Sequence, residues 1–239
     1  MINQKNKIAN LSIVIPILKE SKNIERLVND ISKNLELDNY EILFIDDNSC
    51  DGSEEILKKI NQKNNKIKYF IRKNKKKDLS KSCILGFEKS IYNNILVMDG
   101  DLQHDPQDIN KLINVYNFEK ADIVVGSRNL FNKKNEALSF IRLTASQILI
   151  FLTSFLLGKK TEDPMSGFFI FNKEVYTLNK DKMYAKGYKI LFDLIYSSKD
   201  KLKVLDVDIN FRRRSFGSSK MSFKIIYLLI LMIMQKLFK

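Results

Sequence analysis

At 239 residues with 44% hydrophobic content, the chain can bury a substantial core as one large α/β domain or two small ones. Its 8 glycines and 3 prolines leave little for linkers, and the sequence holds no low-complexity spacer or internal repeat, so one domain with a C-terminal appendage is expected. The formal charge of +13 comes from lysines scattered among Asn and Ile; it suits an anionic membrane surface or a phosphorylated substrate and does not by itself indicate nucleic acid.

The first apolar stretch, 11–18, is short, contains Pro16 and runs into Lys19 and Glu20, so it reads as a strand and not as a secretory signal. Further strands are predicted near 40–45, 67–71, 95–98 and 121–126, with helices near 22–36, 53–62, 79–92 and 106–118 between them. Right-handed crossovers would build these into a parallel sheet with helices on both faces. Beyond Ser127 the order changes: a polar loop at 128–137, an apolar helix at 140–157, a strand near 167–172, a helix near 187–198, a strand near 203–211 and a terminal helix after 221. The segments 143–157 and 225–234 are apolar but shorter than the ~20 residues a spanning helix needs. Core helices and helices lying in the membrane interface explain them equally. Cys50 and Cys83 lie far apart without metal-ligand spacing, which fits a reducing, cytoplasmic compartment. The single histidine, His104, is a poor partner for either. The run Arg72-Lys73-Asn74-Lys75-Lys76-Lys77 reads as a solvated loop.

Two acidic clusters stand at strand ends, where ligands of open α/β sheets collect. Asp99, Asp101 and Gln103 alternate after the apolar run 95–98, and two carboxylates with an amide oxygen suit Mg²⁺ or Mn²⁺. The same residues also read as a helix start, with Asp105 and Pro106 as N-cap and first helical residue. Asp46 and Asp47 close the strand before them, and Asp51-Gly52-Ser53 supplies a turn and cap. A receiver domain also pairs acids after a strand. It is about half this length, and the phospho-acceptor Asp and following Lys it requires are not found in that order.

Together the stretches IVIPILKESKNI (13–24), FIDDNSCDGS (44–53), MDGDLQHDP (98–106), VVGSRN (124–129), EDPMSGFFIFNKE (162–174) and FGSSKMS (216–222) resemble the family-2 glycosyltransferases of GT-A fold. Within that family the group resembled is the dolichol-phosphate mannosyltransferases and related polyprenyl-phosphate glycosyltransferases. The resemblance implies a Rossmann-like, mostly parallel α/β sheet at 1–222 and an apolar amphipathic helix at 223–239. It implies that Pro16, Glu20 and Asp47 hold the nucleoside and that Ile45 lines the base pocket. Asp99, Gly100 and Asp101 would meet the donor diphosphate through Mg²⁺ or Mn²⁺, with Gln103 as third ligand. Arg128, Arg214 and Lys220 would contact phosphate or a loop over the donor, and Arg142 and Ser146 the acceptor phosphate. Asp101, Arg128 and Asp163 are the candidate catalytic residues. The chain departs from the family pattern at Leu18, where an aromatic is usual, at Asp78, where Gly is common, and at Gly100, where Ala is frequent. These departures bear on which nucleotide is bound.

The implied reaction is transfer of a hexose, mannose or glucose, from a nucleotide-sugar to a polyprenyl phosphate. A phosphate monoester with a second pKa near ~6 is already ionised at neutral pH and needs no strong general base, in keeping with one histidine. Single displacement would invert the anomeric centre. The alternative is a polysaccharide or protein acceptor, with Asp163 as base. A nucleic-acid partner is not expected, because charge does not explain ordered acids at two strand ends. The expected location is peripheral, on the cytoplasmic face of the membrane.

Overall fold

A computed structural model describes residues 8–128, 160–198, 202–212 and 214. Its elements are β1 (Asn10–Ile17), α1 (Ser21–Asn34), β2 (Asn39–Asp46), α2 (Ser53–Lys63), β3 (Ile67–Ile71), α3 (Leu79–Lys89), β4 (Asn94–Val97), α4 (Asp108–Glu119), β5 (Ile123–Arg128), β6 (Phe169–Asn172), α5 (Lys173–Asn179), a 3-10 turn (Lys180–Lys182), α6 (Ile190–Ser197) and β7 (Val204–Ile209). The strands form one sheet in the order β3-β2-β1-β4-β6-β5-β7.

The inner strands carry long apolar runs because both of their faces are covered. Ile13 and Ile15 of β1, Phe44 of β2 and Leu96 of β4 pack with Ile24 and Leu27 of α1, Leu57 of α2 and Leu112 of α4 on one face. Val14, Leu43, Val97, Val125 and Phe171 pack on the other face with Phe87 of α3, Tyr176 of α5 and Leu191 and Leu194 of α6. The expected βαβ series is therefore present, with one correction. β5 does not join β4: β6 lies between them and runs antiparallel to both. The chain re-enters the sheet at the carboxyl end of β5, where Asp163 bonds Arg128, so β6 must run back down the sheet. Apolarity marks a strand but not its direction. β7 pairs parallel to β5, and α5, unforeseen in the sequence, follows β6 directly, capped by the Asn172 side chain accepting from Glu174 N–H at 2.9 Å.

The contact of α3 with β1 is closer than any side chain allows. A Cβ on Gly86 would stand 2.3 Å from Val14 Cγ1, a branched side chain fixed in the sheet. Overpacking of this kind costs about 1–3 kcal/mol, against about 1 kcal/mol of helix propensity gained by replacing glycine. Gly86→Ala should therefore lower the urea midpoint despite the better helix former, and an unchanged midpoint would show that α3 lifts off the sheet without loss.

Among the described residues no helix is long and apolar enough to cross a membrane. The segments 143–157 and 223–239 lie outside the described residues.

Candidate active site

The carboxyl ends of β1, β2 and β4 converge on a cleft of about 210 Å³ lined by Pro16, Glu20, Asp47, Asp99, Gly100, Asp101 and Arg214, with Pro164, Gly167, Tyr188 and Lys189 across from them. Pro16, Glu20, Asp47, Asp99, Gly100, Asp101 and Arg214, all singled out in the sequence, thus share one hollow, whose lining does not include Gln103, Arg128 or Asp163. Glu20 precedes α1 and its carboxylate accepts from Asn23 Nδ2 at 2.6 Å. Asp46 turns away from the hollow, taking the Ser49 N–H and hydroxyl in a local turn. Asp51 likewise accepts from the Ser21 and Ser53 N–H groups, as turn chemistry predicts.

Asp99 and Asp101 follow β4 on a short turn. Asp101 is 7% exposed and receives the Gln103 N–H at 3.1 Å on one oxygen and the Arg214 guanidinium on the other. The same Arg214 nitrogen reaches Gln103 Oε1 at 3.3 Å, so one guanidinium spans two of the three proposed oxygen ligands. Asp99 faces Gly167, whose missing side chain makes room: a Cβ there would lie 2.4 Å from Asp99 Oδ2. Burial, then the charge of Asp101, push the Asp99 carboxyl up to about 7, against the pull of Lys189, Arg128 and Arg214. Two carboxylates crowded against each other, with an amide oxygen beside them, are a hard-oxygen set that a divalent cation would neutralise. The residues present fit Mg²⁺ or Mn²⁺. Among the described residues no cluster of three or more His, Cys, Asp or Glu makes a metal centre by itself, so the set is completed by Gln103 and by the ligand. Gly100, between the two acids, has no space for the Ala frequent in the family, because a Cβ would stand 2.6 Å from Ile17 Cγ2.

Arg128 and Asp163, 35 residues apart, form a bidentate pair, with Nε to Oδ2 at 2.6 Å and Nη2 to Oδ1 at 2.9 Å. Burial works to raise the Asp163 carboxyl, but the guanidinium prevails and holds it below the usual carboxylate range. The Arg128 guanidinium also stands over the Phe211 ring at 5.3 Å. His104 is 1% exposed and stacked on Phe168 at 5.1 Å, and burial pushes its pKa down to about 4. Burial also pushes the Cys83 thiol up, and Cys50 is exposed. Neither His104 nor Cys83 is placed to act as a nucleophile or base at neutral pH.

Three residues depart from the sequence reading. Ile45 is fully buried beneath α3, close to the Cα of Gly86, and does not reach the cleft; strand alternation sends it to the core face. Arg72, read within a solvated run, is buried and donates to Asp47, to the Asp78 and Lys76 carbonyls and to Ser82 Oγ. Asp47 also accepts from the Asp78 N–H; burial raises its pKa, opposed by that N–H and by Arg72. Lys189 was not singled out at all. It stands on the cleft wall just before α6, and burial, then Arg128, bring its pKa down to about 8, against Asp163 and Asp99. A lysine set among Tyr188, Ile190 and Leu191 was the available signal. Arg142, Ser146 and Lys220 lie outside the described residues.

The model of glycosyl transferase family 2 matches residues 12–178. A dolichol-phosphate mannosyltransferase of Pyrococcus furiosus is 36% identical over 219 residues, 91% of this chain and 60% of that protein, so the chain spans well under the whole of that relative. The UDP-N-acetylglucosamine–dolichyl-phosphate N-acetylglucosaminyltransferase of Methanococcus voltae is 28% identical, over 94% of this chain and 96% of its own length. In three dimensions the chain is similar to glucosyl-3-phosphoglycerate synthase of Mycobacterium tuberculosis, crystallised with Mn²⁺, UDP and glucosyl-3-phosphoglycerate. The TM-score is 0.71 at 16% identity, covering 95% of this chain and 80% of that one, a likeness of fold alone. The order of motifs, the sheet with its acids at the strand ends and the family match agree: the chain belongs to the family-2 glycosyltransferases and has the GT-A fold.

Proposed function

We propose that the protein transfers a hexose from a nucleotide-sugar to a polyprenyl phosphate, in one inverting displacement that depends on Mg²⁺ or Mn²⁺. The observation that carries this reading is the cation-ready acid pair, together with the engagement of Asp163, the base that a hydroxyl acceptor was expected to use. Both oxygens of Asp163 are taken by Arg128, and His104 is buried and neutral. A hydroxyl acceptor needs its proton removed. A phosphate monoester arrives ionised and does not. The names of the relatives, which act with dolichyl phosphate, support the same acceptor class.

In this reading Asp99, Asp101 and the Gln103 side-chain oxygen hold the cation, which would neutralise charge growing on the diphosphate leaving group. Arg214 keeps Asp101 and Gln103 in register. Asp163 fixes the plane of the Arg128 guanidinium, a fork suited to phosphate oxygens, and Lys189, which feels the Arg128 charge, adds a third positive charge. Pro16, Glu20 and Asp47 form the nucleoside side. Arg142 and Ser146 are proposed for the acceptor phosphate, and Lys220 for a loop over the donor. Residues 1–222 would be the catalytic unit and 223–239 a helix in the interface, on the cytoplasmic face of the membrane.

The test is to incubate the protein with labelled GDP-mannose, UDP-glucose and UDP-N-acetylglucosamine in turn, with polyprenyl phosphate and Mg²⁺ or Mn²⁺. Label from one donor should enter the organic phase as the inverted anomer, and chelator should stop it. Label found only in polysaccharide or protein, or a retained anomer, would overturn the reading.

A further inference from the structure

A second hollow, of about 950 Å³, opens beside the cleft and shares Tyr188 with it. Six lysines line it: Lys73, Lys75, Lys76 and Lys77 from the β3–α3 loop, Lys81 from α3 and Lys186 from the loop before α6. All six are exposed. We propose that this groove docks the protein on an anionic phospholipid bilayer, turning the mouth of the cleft toward the membrane. The inference rests on the reading above that the acceptor is carried by a lipid.

The lysines do not hold the loop together. That work falls to Arg72, whose guanidinium ties the Lys76 and Asp78 carbonyls to Asp47, while Gly187 N–H bonds Asp78 Oδ2 at 2.9 Å and Ser80 N–H bonds the Gly187 carbonyl at 2.8 Å. The two loops are thus clamped together by groups other than the lysines, whose ammoniums are left at the surface. Lys73 meets Glu54 at 3.0 Å across an exposed gap, and Lys186 stands 6.0 Å over the Tyr184 ring. Lys75, Lys76, Lys77 and Lys81 make no ion pair among the described residues. The carboxylates that line the groove are Asp78, already accepting from the Lys81 and Gly187 N–H groups, and Glu88, accepting from the Tyr176 hydroxyl at 3.2 Å.

Six cations against two engaged carboxylates call for an anionic partner, and the residue type narrows which one. Lysine offers a point charge on a flexible stem, suited to headgroup phosphates with no fixed geometry, where a specific phosphate site would use the arginine fork. A single-stranded nucleic acid would need a row of stacking platforms. The groove has one ring, Tyr188. Position completes the argument: the loop leaves the carboxyl end of β3, the same sheet edge as Asp47 and Asp99, so a bilayer against the lysines also faces the cleft.

The experiment compares the whole protein with the variant Lys75→Gln/Lys76→Gln/Lys77→Gln, whose substitutions leave the backbone acceptor at Lys76 intact. Partition is measured onto vesicles of phosphatidylcholine, with and without phosphatidylglycerol, at low and high salt. Wild type should prefer the anionic vesicles and be released by salt, and the variant should partition about a hundredfold more weakly, at roughly fivefold per lysine. Transfer to a short, water-soluble polyprenyl phosphate should be unchanged in the variant, while transfer to a long acceptor in anionic vesicles falls. Equal vesicle binding by variant and wild type, equal binding to neutral and anionic vesicles, or a variant defect confined to oligonucleotide binding would each overturn the docking proposal. Failure of wild type to use any soluble polyprenyl phosphate would instead overturn the acceptor assignment, which the vesicle partition does not measure.

Discussion

Asp101→Ala is expected to reduce transfer at least about a hundredfold, the loss seen when one preorganised group facing transition-state charge is removed, while leaving the thermal transition near that of wild type. Asp101 lies on the turn beyond β4, and its carboxylate bonds the Gln103 N–H and Arg214, so its loss removes polar contacts at the sheet edge and no apolar side chain from the core. It does remove one of two cation-facing carboxylates and the anchor of Arg214. Asp101→Asn separates these effects, since an amide keeps an oxygen for Arg214 and loses the charge; it should stay nearly as impaired. The pair also sets a pH dependence. With Asp99 pushed up to about 7 by burial and by Asp101, cation binding must displace a proton from Asp99 in mildly acid solution. Affinity for nucleotide with Mn²⁺ should therefore fall as pH drops below 7, by up to about tenfold per unit. Calorimetry in buffers of different ionisation enthalpy would show the released proton. In Asp101→Asn the same fall should begin at lower pH, because the neighbouring charge is gone. Full transfer by Asp101→Ala in the presence of chelator would remove the cation from the proposed mechanism.

How far the sequence revealed this site follows from what strand ends look like in one dimension. Asp47, Asp99 and Asp101 were legible because a buried parallel strand is an unbroken apolar run and the polar residues that stop it stand at the sheet edge. Arg128 was legible for the same reason. Asp163 was also singled out, as a candidate base, but its pairing with Arg128 was not legible, because only the return of the chain beside β5 brings the two together. Ile45 was assigned to the base pocket by resemblance alone; the run 42–45 is apolar on both faces and hides the alternation that leaves it buried and outside the cleft lining. β6 was recognised as a strand but not as antiparallel, since direction depends on where the preceding segment re-enters. Arg72 was lost in a basic run whose other members are solvated. Burial separates it from Lys73 and Lys75, and burial is a property of the fold.

Arg72→Ala should be the most damaging single change outside the apolar core. Its side chain is 7% exposed and that of its partner Asp47 is 6% exposed, so the substitution leaves a buried carboxylate with the Asp78 N–H as its remaining bond among the described residues. Breaking a buried pair in this way costs about 3–5 kcal/mol, a large share of the stability of a domain this size. Burial already raises the Asp47 carboxyl above 3.8, and without the guanidinium it rises further. A pKa above the unfolded value means that the folded variant binds more protons, so its stability declines as pH rises through that window and the penalty is smallest in acid. Urea denaturation should accordingly show the variant approaching wild type in acid and falling away toward neutral pH. Asp47→Asn in the same chain should recover part of the loss, because it removes the stranded charge. Nucleotide binding should weaken in both, since the Lys76 and Asp78 carbonyls lose the donor that holds the loop against the nucleoside side of the cleft. If Arg72→Ala instead kept its urea midpoint at neutral pH, Asp47 would have to reach water without Arg72, and the clamp that ties the lysine loop to the cleft would not exist.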